Sequence, residues 1–138
     1  MGEAIEALWN DLVRRASRGS GIGLDEDYLR SLTMFVADTG ALVNATSAIP
    51  ATAREVHFFP NVPYARKVEA GQSSKARTGV FTPAYRKIKS EYGKSLRIFL
   101  DYTVPKGSAV VLRTNGKTAR RDGIPVPRIR MIQGGAFQ

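Results

Sequence analysis

The side chains able to carry chemistry are few, and their spacing limits what they can do. The chain has no cysteine and a single histidine, His57. Without thiols there is no disulfide and no thiolate metal site, and one imidazole needs further nitrogen or sulfur ligands before it can hold a metal. The usual nucleophile–base pairs of covalent catalysis are thereby nearly excluded. His57 stands in R-E-V-H-F-F, residues 54–59, where a lone histidine is most often a satisfied structural residue. Paired carboxylates are the other route to acid–base work. Asp25, Glu26 and Asp27 are adjacent, but adjacent residues on a helix point in different directions, and acids at a helix start complement its dipole. Glu69, Glu91 and Asp101 stand singly in a basic half, as ion-pair partners do.

Two glycine-rich pieces fail as phosphate sites. R-G-S-G-I-G, residues 18–23, follows a helix, whereas a dinucleotide fingerprint needs a strand before it. A-R-T-G-V-F, residues 76–81, lacks the Gly-Lys-Ser/Thr ending of a P-loop. No catalytic residue, metal ligand or cofactor is expected, and the chain reads as non-enzymatic.

Charge is the more informative quantity. The 138 residues carry a net charge of +9. Residues 1–53 hold 4 basic and 7 acidic side chains, and residues 54–138 hold 17 basic and 5 acidic ones. Such asymmetry points to nucleic acid or an acidic protein surface as partner, set against a merely solubilising basic surface. Bases are interleaved with aromatic or apolar residues at Tyr64-Ala65-Arg66-Lys67, Tyr85-Arg86-Lys87 and Arg128-Ile129-Arg130. That pattern suits phosphate contacts combined with stacking, although no recognised nucleic-acid motif accompanies it. The start of the chain carries acids where an export signal needs bases, and no apolar run reaches the roughly 20 residues of a membrane span.

The elements that position these residues read as one α+β domain over 1–138. Helices in a part spanning 1–48 are expected to pack on a small mixed or antiparallel sheet within a β-rich part spanning 54–138. Ile5, Leu8, Trp9, Leu12, Val13 and Ala16 recur at helical spacing, predicting a helix over residues 3–18 that the following glycines break. Tyr28, Leu29, Leu32, Phe35 and Val36 predict a second helix. Asp38 or Thr39 is placed to cap a short third one carrying Leu42 and Val43, and Gly40 permits a sharp change of direction.

Residues 54–59 predict a strand. Pro63 to Ala70 predicts two helical turns stopped by Gly71. Gln72 to Gly79 is polar and bounded by glycine, the pattern of a mobile loop. A helix follows to Tyr92, with Gly93 as its stop. Residues 95–104 alternate as a strand, with Arg97, Phe99 and Asp101 on one side. Residues 109–114 predict another strand and Asn115-Gly116 a turn. Residues 124–132 predict a last strand, whose prolines favour a sheet edge.

Three segments in order carry a resemblance. D-T-G-A-L at 38–42 is followed about twenty residues later by V-P-Y-A-R-K-V-E-A-G at 62–71, and then by V-F-T-P-A-Y at 80–85 opening a helix. Over roughly residues 30–93 the set resembles the tail-completion, or neck, proteins of long-tailed bacteriophages. The matching positions are Thr39, Gly40, Leu42, Pro63, Tyr64, Ala65, Val68, Glu69 and Gly71. Where the family often has a larger residue and a glycine–threonine pair, Ala70, Gly71 and Gln72 stand here.

The resemblance implies a small α+β virion protein made in the bacterial host cytoplasm, with no catalytic role. It implies a homo-oligomeric ring, most commonly six-fold, at the head–tail interface. There it meets neighbouring neck and tail-tube proteins and the passing genomic DNA, as tail completion protein, tail terminator or adaptor. The expected subunit or partner interface is Pro63, Tyr64, Ala65, Arg66, Val68, Glu69 and Gly71, with Glu69 pairing to Arg66 or to a base on the next subunit. Gln72, Ser73, Ser74, Lys75, Ala76 and Arg77 form the expected docking loop, and Asp38, Thr39, Gly40 and Leu42 a structural turn. A small basic nucleic-acid-binding protein is the alternative.

Overall fold

The computed structural model describes residues 1–22, 26–62, 79–104, 111–114, 117–120 and 125–133. Among them are three helices: α1 (Gly2–Ile22), α2 (Glu26–Ser31) and α3 (Phe81–Tyr92). Seven strands accompany them: β1 (Leu32–Val36), β2 (Ala41–Val43), β3 (Glu55–Pro60), β4 (Leu96–Thr103), β5 (Val111–Thr114), β6 (Lys117–Arg120) and β7 (Val126–Gln133). The class is α+β, as the order of elements implies. Five strands form one sheet in the order β2-β1-β3-β7-β4, and every neighbouring pair is antiparallel. β5 and β6 pair separately, with Thr114 opposite Lys117 on either side of the expected Asn-Gly turn.

One face of the sheet is the core. Alternation puts Leu32, Met34 and Val36 of β1 on that side, all buried. Register carries the layer across the sheet: Met34 lies opposite Phe58, Phe58 opposite Ile129, and Ile98 opposite Met131. These side chains are almost fully covered. α3 packs on β4 and β7, α2 packs on β3, and α1 lies against both helices. α1 presents Ile5, Leu8, Leu12 and Ala16 to the core at helical spacing. α1 and α3 run antiparallel, because the Tyr92 hydroxyl reaches Glu3 while Lys87 reaches Asp11.

Asp11, only 7 % exposed, is held from α1 itself by Arg14 and by Arg15 at 2.7 Å, and from α3 by Lys87 at 3.9 Å. Burial alone raises its carboxyl, but the guanidinium hydrogen bonds outweigh this, and the net pKa lies below the ordinary aspartate value.

Four expectations are corrected. The second helix ends at Ser31, and Leu32–Val36 is strand β1. Leu32 and Val36 satisfy both periods, but Leu-Thr-Met-Phe-Val is strand-forming in composition and gains two strand neighbours. The region 1–48 is therefore not a helical part, since β1 and β2 belong to the main sheet. The third helix is absent; Leu42 and Val43 lie in strand β2, and a 3-10 turn, Thr46–Ala48, comes after it. α1 runs on to Ile22 through Gly19 and Gly21, each costing only about 1 kcal/mol in a helix.

The fourth correction concerns β7, which is not an edge: it lies between β3 and β4. Its proline is accommodated because β3 pairs with residues 129–132 alone, while Pro127 faces only Tyr102 of β4. The missing N–H thus falls where the strand has one neighbour.

The expectations for β3, α3 and β4 hold within a residue or two. Gly93 closes α3 by donating its N–H to the Lys89 carbonyl at 2.8 Å.

Candidate functional site

The D-T-G-A-L segment forms a tight turn between β1 and β2. The N–H groups of Thr39 and Gly40 both donate to the Val36 carbonyl, at 3.2 and 2.8 Å. Gly40 sits at φ +73°, in the left-handed region that side chains resist. The Thr39 hydroxyl accepts the Ala41 N–H at 3.3 Å. Asp38 Oδ1 accepts the N–H groups of Arg54 and Glu55 at 2.9 and 3.1 Å, tying the turn to the start of β3. These backbone donors hold its carboxyl below the usual aspartate range.

Asp38, Thr39 and Gly40 therefore form the expected structural turn, and Leu42 lies just beyond it in β2, 55 % exposed. Gly40→Val is expected to lower stability by about 1–2 kcal/mol through the left-handed backbone alone, since a Cβ there meets nothing within 4 Å. Gly40→Asn should cost clearly less; urea unfolding of the two variants checks it.

Pro63, Tyr64, Ala65, Arg66, Val68, Glu69 and Gly71, and the loop Gln72, Ser73, Ser74, Lys75, Ala76 and Arg77, lie outside the described residues.

The second face of the sheet, away from the helices, holds a row that sequence reading does not assemble. Leu42, Phe35, His57, Arg130 and Phe99 are cross-strand partners in succession over β2, β1, β3, β7 and β4. The Phe35 and His57 rings are 5.5 Å apart and tilted by 48°. A His57 ring nitrogen lies 2.6 Å from Glu55 Oε2, two residues along the same strand face. The Arg130 guanidinium lies over the Phe99 ring at 4.8 Å, and that of exposed Arg97 lies over it at 5.5 Å.

One residue row further along, Asp101 takes a two-pronged contact from Arg128, Nε at 2.8 Å and Nη2 at 3.0 Å, and a third hydrogen bond from Arg130 Nε at 3.1 Å. Burial raises this carboxyl, but the two guanidiniums outweigh it and its pKa is lowered. The carboxylate fixes the planes of both arginines, as bidentate pairs do. The signals available beforehand were the alternation of Arg97, Phe99 and Asp101 and the Arg128-Ile129-Arg130 pattern; register alone brings them together.

This face brings together planar rings, guanidiniums and two acids. Each described acid singled out here is engaged: Asp11 and Asp101 by arginines, Asp38 by backbone N–H groups, Glu55 by His57. A groove of about 400 Å³ lies between the start of α1 and the β2–β3 connection. It is lined by Met1, Ile5, Thr46, Ile49 and Gln133, with Glu6 as the one charged side chain among the described lining residues. Among the described residues no group of three or more histidine, aspartate or glutamate side chains is placed to hold a metal, and no helix is long and apolar enough to cross a membrane.

No family model, curated protein or solved structure matches the chain.

Proposed function

We propose that this chain is a structural protein of the neck of a long-tailed phage, non-catalytic, forming a ring that completes the tail or joins it to the DNA-filled head. The observation that carries the reading is the fate of D-T-G-A-L: a tight turn that delivers the chain into β2, a short strand at the sheet edge. That is the role the resembling segment has in the neck proteins, and with V-F-T-P-A-Y it is one of the two segments of the ordered set that lie wholly among the described residues. V-F-T-P-A-Y supports it further by opening α3.

A ring subunit needs two different surfaces that meet head to tail. β2, with a single strand neighbour and Leu42 exposed, has the unpaired main-chain groups of an edge. The basic half supplies charge for register against an acidic neighbour or for the passing DNA. Six-fold closure, a place in the virion, and contact with neck and tail-tube proteins belong to this proposal, as does the interface around Tyr64–Glu69.

Electron microscopy of particles made with and without the protein tests it. Full heads and finished tails that stay separate are expected in its absence. Intact joined particles would remove the neck reading.

A further inference from the structure

We propose that the second face of the sheet binds a single strand of nucleic acid, with bases stacking along Phe35, His57 and the guanidiniums that lie over Phe99, and phosphates held by the same two arginines, Arg97 and Arg130. The inference is independent of the neck reading and rests on the register of five strands. Phe35 and Phe99 are three strand spacings apart, about 14 Å, room for two or three bases laid across a sheet as in sheet-based RNA readers. His57 and Arg130 stand between them in the register, and the Arg130 guanidinium lies over the Phe99 ring.

Bases stack on guanidinium planes as well as on aromatic rings, and here both Arg97 and Arg130 lie over Phe99. Asp101 and Glu55 do not cancel the attraction. Asp101 serves to fix the orientation of Arg128 and Arg130, Glu55 is taken up by His57, and three arginines face these two acids. The wider field favours a polyanion, since residues 54–138 carry 17 basic against 5 acidic side chains. Unpaired bases are favoured over an acidic protein, because an acidic protein would use the charges and leave the aromatic row idle.

The test is fluorescence anisotropy of a labelled oligothymidylate of about 12 nucleotides with the full chain at low salt, beside a duplex of equal length. Phe99→Leu keeps an apolar side chain and removes the ring on which both guanidiniums rest; its affinity should fall about tenfold. Arg97→Gln, at an exposed position, should weaken binding and reduce the salt slope by about 0.7, one phosphate contact on a single strand. Lys89→Gln, at an exposed position on α3, should change neither. Thermal melting of each variant separates lost binding from lost fold, and Arg97→Gln carries the test if Phe99→Leu melts early.

Several outcomes would overturn the proposal: no binding at low salt, equal affinity for the duplex, or equal losses for Arg97→Gln and Lys89→Gln. Displacement by oligoglutamate as efficient as by unlabelled strand would also overturn it and assign the face to an acidic protein.

Discussion

Phe58→Ala is expected to destabilise the protein by about 3–5 kcal/mol. Phe58 is fully buried in β3, the middle strand, where Met34 and Ile129 flank it on either side in the core layer. The helices lie over that layer, so neither side can collapse into the space without moving a paired strand. The loss combines the transfer energy of the ring with the cavity left behind. A domain of this kind has a total stability of roughly 5–15 kcal/mol, so the variant sits near its folding threshold. Urea unfolding should show a much lower midpoint at an unchanged slope. Phe58→Leu, which keeps most of the volume, should lose far less. Equal losses for the two would mean that volume at this site is not what matters.

Acid is expected to destabilise the protein steeply below about pH 4. Asp11, Asp38 and Asp101 all have folded-state pKa values below the ordinary 3.8. A lowered folded pKa means that the unfolded chain takes up protons first as pH falls. The stabilisation is fully present above the unfolded value and drains away from about pH 4 downward, through the folded values. Above about pH 5 these groups give no pH dependence.

The urea midpoint should therefore be flat from neutral pH to about pH 5 and fall steeply below about pH 4. Asp11→Asn with Asp101→Asn should flatten that limb and lower the plateau at neutral pH. The plateau cost is modest, about 1 kcal/mol for each, because Arg14, Lys87 and Arg130 remain in reach of water. An acid limb that is as steep in the double variant as in the parent would place the titrating groups elsewhere.

The elements that sequence reading places well are those whose signals are local. α3 has four apolar or aromatic residues at helical spacing and a glycine that stops it, and it needs no partner to be recognised. Residues 54–59 read as a strand because Val, His, Phe and Phe leave little alternative. β1 fails because Leu32 and Val36 fit a helix and a strand equally, and the choice is made by β3 across the sheet. The position of β7 fails for the same reason. Proline argues for an edge, yet which half of a strand has two neighbours is a property of the pairing, not of the strand.

The contact face was half legible. Arg97, Phe99 and Asp101 share a side by alternation, and Arg128 and Arg130 stand out as a basic pair, but nothing local places Phe35 and His57 in line with them. The turn at Asp38–Gly40 was legible in its glycine and not in its purpose, since Asp38 finds its donors sixteen and seventeen residues later.

The sheet order β2-β1-β3-β7-β4 has a consequence for the timing of synthesis. β7 is the last strand of the sheet to leave the ribosome, yet it joins the first three strands to β4. Until it emerges, β3 has one bare side and β4 has no strand neighbour, and the apolar layer that Ile129 and Met131 complete stays open to water. Completion of the sheet is therefore held back until β7 has emerged, and it is dominated by distant pairings, which are slow to form. In the interval the nascent chain presents sticky edges to its neighbours, so translation rate and chaperone supply bear on the yield of this protein more than on that of a domain built in chain order.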